Sequence, residues 1–257
     1  MRFGVCCDQS RFAAVAAAGF DYAETAFNQL VSMDDAAYSG YLAALGEYGL
    51  KSEACNLFFT SATRLFGPEA DPSFLDGYVK KGMERAARAG CKVAVIGSGG
   101  ARSVPDGFSF IEAVSCFSGI LKRCGEIAGE YGIKVAVEPL CRRECNFVNT
   151  VAEGIEISGL AGRQNVGITA DFYHMYENGE TLGPLEGAGE RLFHVHLARA
   201  NDDRSVPYEA EDLEVCRKWA AALKKCGYSE RISLECKFGP DFSAALERAR
   251  PALELFK

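Results

Sequence analysis

Histidine is scarce in this chain. Only His174, His194 and His196 occur among 257 residues, and all three fall within one short stretch. Imidazole is the commonest side-chain ligand of transition metals, so any centre that uses it must be built around that stretch. Other absences narrow the field. No CxxC pair occurs among the eleven cysteines, which excludes zinc ribbons and fingers. No apolar run approaches the ~18 residues of a membrane span. The opening MRFGVCCDQS lacks the long apolar core of a secretory signal, and the cysteine number is odd. Both features lead us to expect reduced thiols and a cytoplasmic location. Positive charge is also in deficit: 28 basic against 35 acidic residues give a net −7. Such a chain is a poor phosphate-backbone binder, so nucleic acid is not an expected partner. No low-complexity tract marks a linker, and one domain over residues 1–257 is expected.

What is present is a rhythm. Short apolar runs at 2–7, 20–24, 51–58, 92–97, 133–138, 166–171, 192–198 and 232–236 read as eight strands. Between them lie amphipathic stretches such as SFLDGYVKKGMERAARAG and DLEVCRKWAAALKKCG, several ending at a glycine suited to a left-handed helix cap. Near-continuous apolar strands that alternate with helices imply a parallel sheet covered on both faces. Eight such units imply a closed (β/α)8 barrel, the TIM barrel of the α/β class. An open doubly wound sheet is the alternative. Against it, no GxGxxG follows the first strand, and polar residues of catalytic type end many strands.

In a (β/α)8 barrel the strand C-termini converge on one mouth. Strands five to eight end at Glu138 (KVAVEPL), Asp171 (VGITADFYH), His196 (HVHLA) and Glu235 (RISLECKF), all residue types that bind metals. Three carboxylates and one imidazole suit a single divalent ion. Mn²⁺ is the first choice, and Mg²⁺, Co²⁺ or Zn²⁺ also fit the donors. His174, three residues after Asp171, sits where its side chain can lean over the mouth. His194 and His196 share a strand face, and His194, one layer lower, is expected to be a hydrogen-bonded core residue.

Together with GFDYAE, VEPLCRRECNFVNT, DFYHM, HVHLA followed by NDDRSVP, and SLEC, these residues resemble the sugar isomerases and epimerases built on a xylose-isomerase-like barrel. That group includes tagatose and psicose 3-epimerases and hydroxypyruvate isomerases. The resemblance implies one divalent metal held by Glu138, Asp171, His196 and Glu235, with Glu138 and Glu235 as the catalytic acid/base pair. It further implies substrate binding by Glu144, His174 and Arg204, with Arg199 as the competing assignment for the arginine. The implied substrate is a small sugar or sugar-like ketose, turned over through a metal-stabilised cis-enediolate. A homo-oligomer remains open.

Elementary chemistry agrees. A divalent ion chelated by a carbonyl and its neighbouring hydroxyl stabilises the enediolate left when the adjacent proton is removed. A second carboxylate on the opposite face can return the proton and invert the centre. One base working between adjacent carbons would interconvert aldose and ketose instead, and the same four ligands serve both outcomes. The rival readings are an inosose-type dehydratase on the same barrel, a non-catalytic sugar-binding barrel, and a metal-dependent endonuclease of related fold. The endonucleases use several zinc ions and more histidines than this chain owns. Two weaker features stay open. The glycine-rich GSGGARSVPDGF could line the mouth or hold a phosphate, or only permit a tight loop. Phe58, Phe59, Phe66 and Phe108 could form an apolar wall over a sugar or pack against helices.

Overall fold

The computed structural model describes residues 1–201 and 203–257; Asp202, within NDDRSVP, lies outside the described residues. Eight parallel strands close into a barrel in sequence order. They are β1 Arg2–Cys6, β2 Tyr22–Ala26, β3 Ser52–Asn56, β4 Val93–Ile96, β5 Lys134–Val137, β6 Val166–Asp171, β7 Leu192–Leu197 and β8 Arg231–Leu234. The helices are α1 Phe12–Ala17, α2 Phe27–Ser32, α3 Asp35–Glu47, α4 Leu75–Ala89, α5 Gly99–Arg102, α6 Phe110–Glu130, α7 Val151–Leu160, α8 Phe172–Glu177, α9 Gly183–Glu186, α10 Ala210–Cys226 and α11 Phe242–Glu254. Each expected strand is present, with both ends within two residues of the expected bounds. Gly90 and Gly227 cap α4 and α10 in the left-handed conformation that their position in the sequence suggested.

Strand parity sorts the side chains. One face of each strand packs outward on the helices, where Ala94, Ile96, Val135 and Val137 join the main apolar core. A smaller apolar group of Tyr22, Ala54, Val93, Val95, Ala136 and Phe193 takes the alternate positions of the strands. Buried polar residues also take inward positions: Glu24 on β2, Thr169 and Asp171 on β6, His194 and His196 on β7, and Ser233 on β8. Most of these groups satisfy one another, whereas Thr169 Oγ1 and His194 Nδ1 have no partner among the described residues.

The aromatic residues after β3 and β4 serve packing. Phe58 stacks on Phe27 with centroids 4.0 Å apart, Phe59 stacks on Tyr78 at 5.9 Å, and Phe66 meets Phe108, Phe117 and Phe147. The glycine-rich loop is likewise filled by protein. Arg102, fully buried, donates to the carbonyls of Gly97, Phe147 and Glu138 at 2.7, 2.8 and 2.5 Å. The loop packs tightly around Arg102, and its first residue, Gly97, also lies against Glu138 at the mouth. All eleven cysteines carry free thiols, and among the described residues no helix is long and apolar enough to cross a membrane.

Candidate functional site

Asp171 and His196 are direct partners in the β6–β7 register, which puts their side chains at one level of the mouth. Glu138 and Glu235 each lie one residue beyond the end of their strands. One ligand atom from each of the four lies within 4.8 Å of those from the others. His196 Nδ1 is the hub, 2.6 Å from Glu138 Oε1, 3.3 Å from Glu235 Oε2 and 3.8 Å from Asp171 Oδ2. The donor set and its convergence fit a single first-row divalent ion, whose ligands sit at about 2.0–2.2 Å.

The local sequence explains this convergence. Gly97, after β4, lies so close to Glu138 that an added Cβ would come within 2.1 Å of Glu138 Oε2. Only glycine leaves the carboxylate its place. Asn56, at the end of β3, donates its amide to Glu235 Oε1 at 2.8 Å. Asp171 accepts the backbone N–H groups of Tyr173 and His174 at 2.8 and 3.2 Å, which caps α8 and orients its other oxygen toward the mouth.

Behind His196 stands a residue that strand-end reasoning missed. Glu24 is fully buried, with Oε1 3.0 Å from His196 Nε2 and Oε2 2.8 Å from His194 Nε2. His194 is thus the hydrogen-bonded core histidine expected, and it also meets Ser233 Oγ at 3.3 Å. Carboxylates hold His196 at both ring nitrogens, Nε2 by Glu24 and Nδ1 by Glu138, and the Glu24 contact would keep a proton on Nε2 when Nδ1 gives up its own to bind a metal. Replacing Glu24 by Gln removes the carboxylate that holds the Nε2 proton. The variant is expected to bind Mn²⁺ about 10–100-fold more weakly, measured by calorimetric titration of metal-free protein; unchanged affinity would deny Glu24 this role.

Electrostatics follow from the packing. Burial opposes the charge of His196, yet Glu235, Glu24 and Glu138 hold its pKa well above the ordinary imidazole value. Burial also disfavours the Glu235 carboxylate, but His196 and Arg204 bring its pKa down to about 2. For Asp171 burial wins over Arg204 and His174, and its pKa rises. Burial lowers the pKa of His174, so it is a neutral donor at physiological pH.

Of the two candidate arginines, Arg204 is the one that reaches the quartet. Its guanidinium donates to Asp171 Oδ2 at 2.7 Å and also pairs with Glu235 Oε2. Its backbone φ of 53° is unusual for a residue with a side chain. Leu57, Ser98 and Val148, on loops leaving β3, β4 and β5, share positive φ, so backbone strain gathers at the mouth. Arg199 points elsewhere: it pairs with Asp212 and Glu209 and braces the start of α10. His174 is buried beside Asp171, with Nε2 3.8 Å from its Oδ2, while Glu144 is exposed on the loop above. Arg142 forms a solvated pair with Glu153, and Arg143 pairs with the largely buried Glu177.

Residues 12–257 match the family model described as xylose isomerase-like TIM barrel. An inosose isomerase of Halalkalibacterium halodurans is 32% identical over 139 residues, half of this chain and 47% of that protein. The chain thus spans about half the length of the curated relatives it matches. A D-psicose 3-epimerase from Clostridium cellulolyticum H10, solved with D-tagatose, superposes with a TM-score of 0.82 over 100% of this chain and 98% of that one, at 19% identity. The IOLI protein, solved with a zinc atom, superposes with a TM-score of 0.76 at 22% identity, over 100% and 98% of the two chains. At these identities the superpositions speak to the fold.

Proposed function

The chain belongs to the xylose isomerase-like TIM barrel family, and from that premise we propose that it is a divalent-metal-dependent isomerase or epimerase of small ketoses, cyclic keto-polyols of the inosose type included. The observation that carries this reading is the convergence of Glu138, Asp171, His196 and Glu235 at the barrel mouth. Those four would hold the ion, with Mn²⁺ our first choice. When bound there, it supplies the positive charge that polarises a substrate carbonyl and stabilises the enediolate.

The chain's own residues perform the proton chemistry. Glu235, whose charged form is favoured, removes the proton beside the carbonyl; Glu138, reaching the mouth from a strand three places away, returns one from the other face. Return to the same carbon gives an epimer, and return to the neighbouring carbon gives the aldose–ketose pair. His174, neutral, donates a hydrogen bond to a substrate oxygen from Nε2, and Glu144 accepts from a hydroxyl at the open side. Arg204 orients Asp171 and Glu235 and balances their charge. The relative named inosose isomerase favours the isomerising outcome over dehydration of the same ketones.

Incubation with a panel of ketoses and inososes, in D2O with Mn²⁺, tests the reading. The expected result is solvent deuterium in both recovered substrate and product of unchanged heavy-atom composition. Loss of the elements of water would indicate a dehydratase, and absence of exchange across the panel would leave a binding protein.

A further inference from the structure

Beside the quartet, the mouth carries a second donor group of softer character. Cys141, Glu144 and His174 each offer a ligand atom within 4.8 Å of those of the other two. The loop after β5 sets that spacing. The N–H groups of Glu144 and Cys145 both donate to the Cys141 carbonyl, at 2.9 and 3.1 Å, so the chain makes a single helical turn that brings residues 141 and 144 to one side. Asn149 clamps the turn by donating to the carbonyls of Leu140 and Cys145, both at 2.7 Å. His174 joins it from the first turn of α8: its Nδ1 accepts the Cys141 N–H at 3.2 Å.

That contact assigns the His174 tautomer. Nδ1 carries a lone pair directed at the Cys141 turn, and Nε2–H faces Asp171 Oδ2 at 3.8 Å. An imidazole with one unprotonated nitrogen, held only by a backbone N–H, and a carboxylate beside the other, can turn that nitrogen to a metal by giving up the Cys141 contact. Cys141 and His174 are buried and held, while exposed Glu144 leaves one side open to solvent.

We propose that Cys141, Glu144 and His174 form a second metal site, selective for a thiophilic divalent cation such as Zn²⁺, and that its occupation inhibits the enzyme. Thiolate, imidazole and carboxylate are the donor types zinc takes, whereas three carboxylates with one imidazole suit a harder ion. Binding forms a metal–sulfur bond and releases the Cys141 thiol proton to solvent, with no change of oxidation state. It replaces the long hydrogen bond between Cys141 and His174. The inhibition rests on the proposed use of Glu144 and His174 by substrate; the site itself does not.

Co²⁺ serves as the spectroscopic probe. Protein whose first site has been filled with Mn²⁺ is expected to take up one further equivalent of Co²⁺, with a thiolate-to-cobalt charge-transfer band in the near ultraviolet. Cys141→Ser should abolish both band and uptake, and Glu144→Gln should weaken Co²⁺ binding about tenfold or more while preserving the band at saturation. Absence of the band in the wild type overturns the proposal. So does its persistence in Cys141→Ser, which would assign it to Cys6 beside His196. In a turnover assay, excess Zn²⁺ should raise KM at constant kcat for the wild type and not for Cys141→Ser; equal inhibition of both refutes the inhibitory role. A band without turnover of any ketose or inosose would uphold the second site and defeat the proposed function.

Discussion

Replacing Glu235 by Gln is expected to lower turnover about 10²–10⁴-fold, the range typical of lost acid/base catalysis, while metal and substrate binding partly survive. Gln keeps an oxygen for the ion and the length needed to reach Asn56, but its amide cannot take a proton. His196 and Arg204 bring the pKa of Glu235 down to about 2 against burial, so it is ionised, and free to accept a proton, throughout the working pH range. If Glu138 and Glu235 serve opposite faces, each Gln variant retains the other base. Each should then still exchange one substrate hydrogen with D2O without completing the inversion, read by mass spectrometry of recovered substrate. Full epimerisation by both variants would remove the pair from the mechanism.

The second large effect concerns stability. Arg204 bridges Asp171 and Glu235, and Asp171 is almost fully buried. Removing one partner of a buried ion pair leaves an uncompensated charge, which typically costs about 3–5 kcal/mol. Arg204 and Glu235 keep 18% and 19% side-chain exposure, so the lower end, about 3 kcal/mol, is expected for Arg204→Met in metal-free protein. In a chain of this size that corresponds to a fall in Tm of about 6–12 °C. Mn²⁺ brings positive charge to the same carboxylates, so it should restore much of the loss and raise the Tm of the variant more than that of the wild type. Thermal melts with chelator and with saturating Mn²⁺ measure this. Equal losses under both conditions would show that Arg204 acts by packing alone.

Much of this architecture follows from local pattern. A strand buried on both faces must be apolar along its length, a covering helix must be amphipathic, and eight alternations of the two leave little besides a closed barrel. Strand ends are legible for the same reason: an acid or imidazole that closes an apolar run stands out, as Glu138, Asp171, His196 and Glu235 do. Glu24, which also closes a run, FDYAE, belongs to strand two and lies outside the strand five to eight series, and nothing in the local sequence ties it to the histidines. The strand continues to Ala26, so Glu24 shares the inward parity of Tyr22, and its partners His194 and His196 lie 170 and 172 residues away. Asn56, an ordinary strand-terminal amide by sequence, became informative only once β3 brought it to Glu235.

The loops divide along the same line. Sequence alone could not decide between Arg199 and Arg204, because the path of the NDDRSVP stretch depends on tertiary contacts and on a left-handed residue that no propensity signals. In the structure, Arg199 is taken by Glu209 and Asp212, and Arg204 turns inward. The glycine-rich loop after β4 is equally ambiguous by sequence, because the groups that fill the space around it, Arg102 and Glu138, are brought there by tertiary packing. Residue pattern alone implies the barrel and the convergence of four metal-binding side-chain types, because periodicity and burial are local consequences of residue type. Only the tertiary structure decided what stands behind those ligands and over them, because hydrogen-bond partners and charge balance are set by strands far apart along the chain.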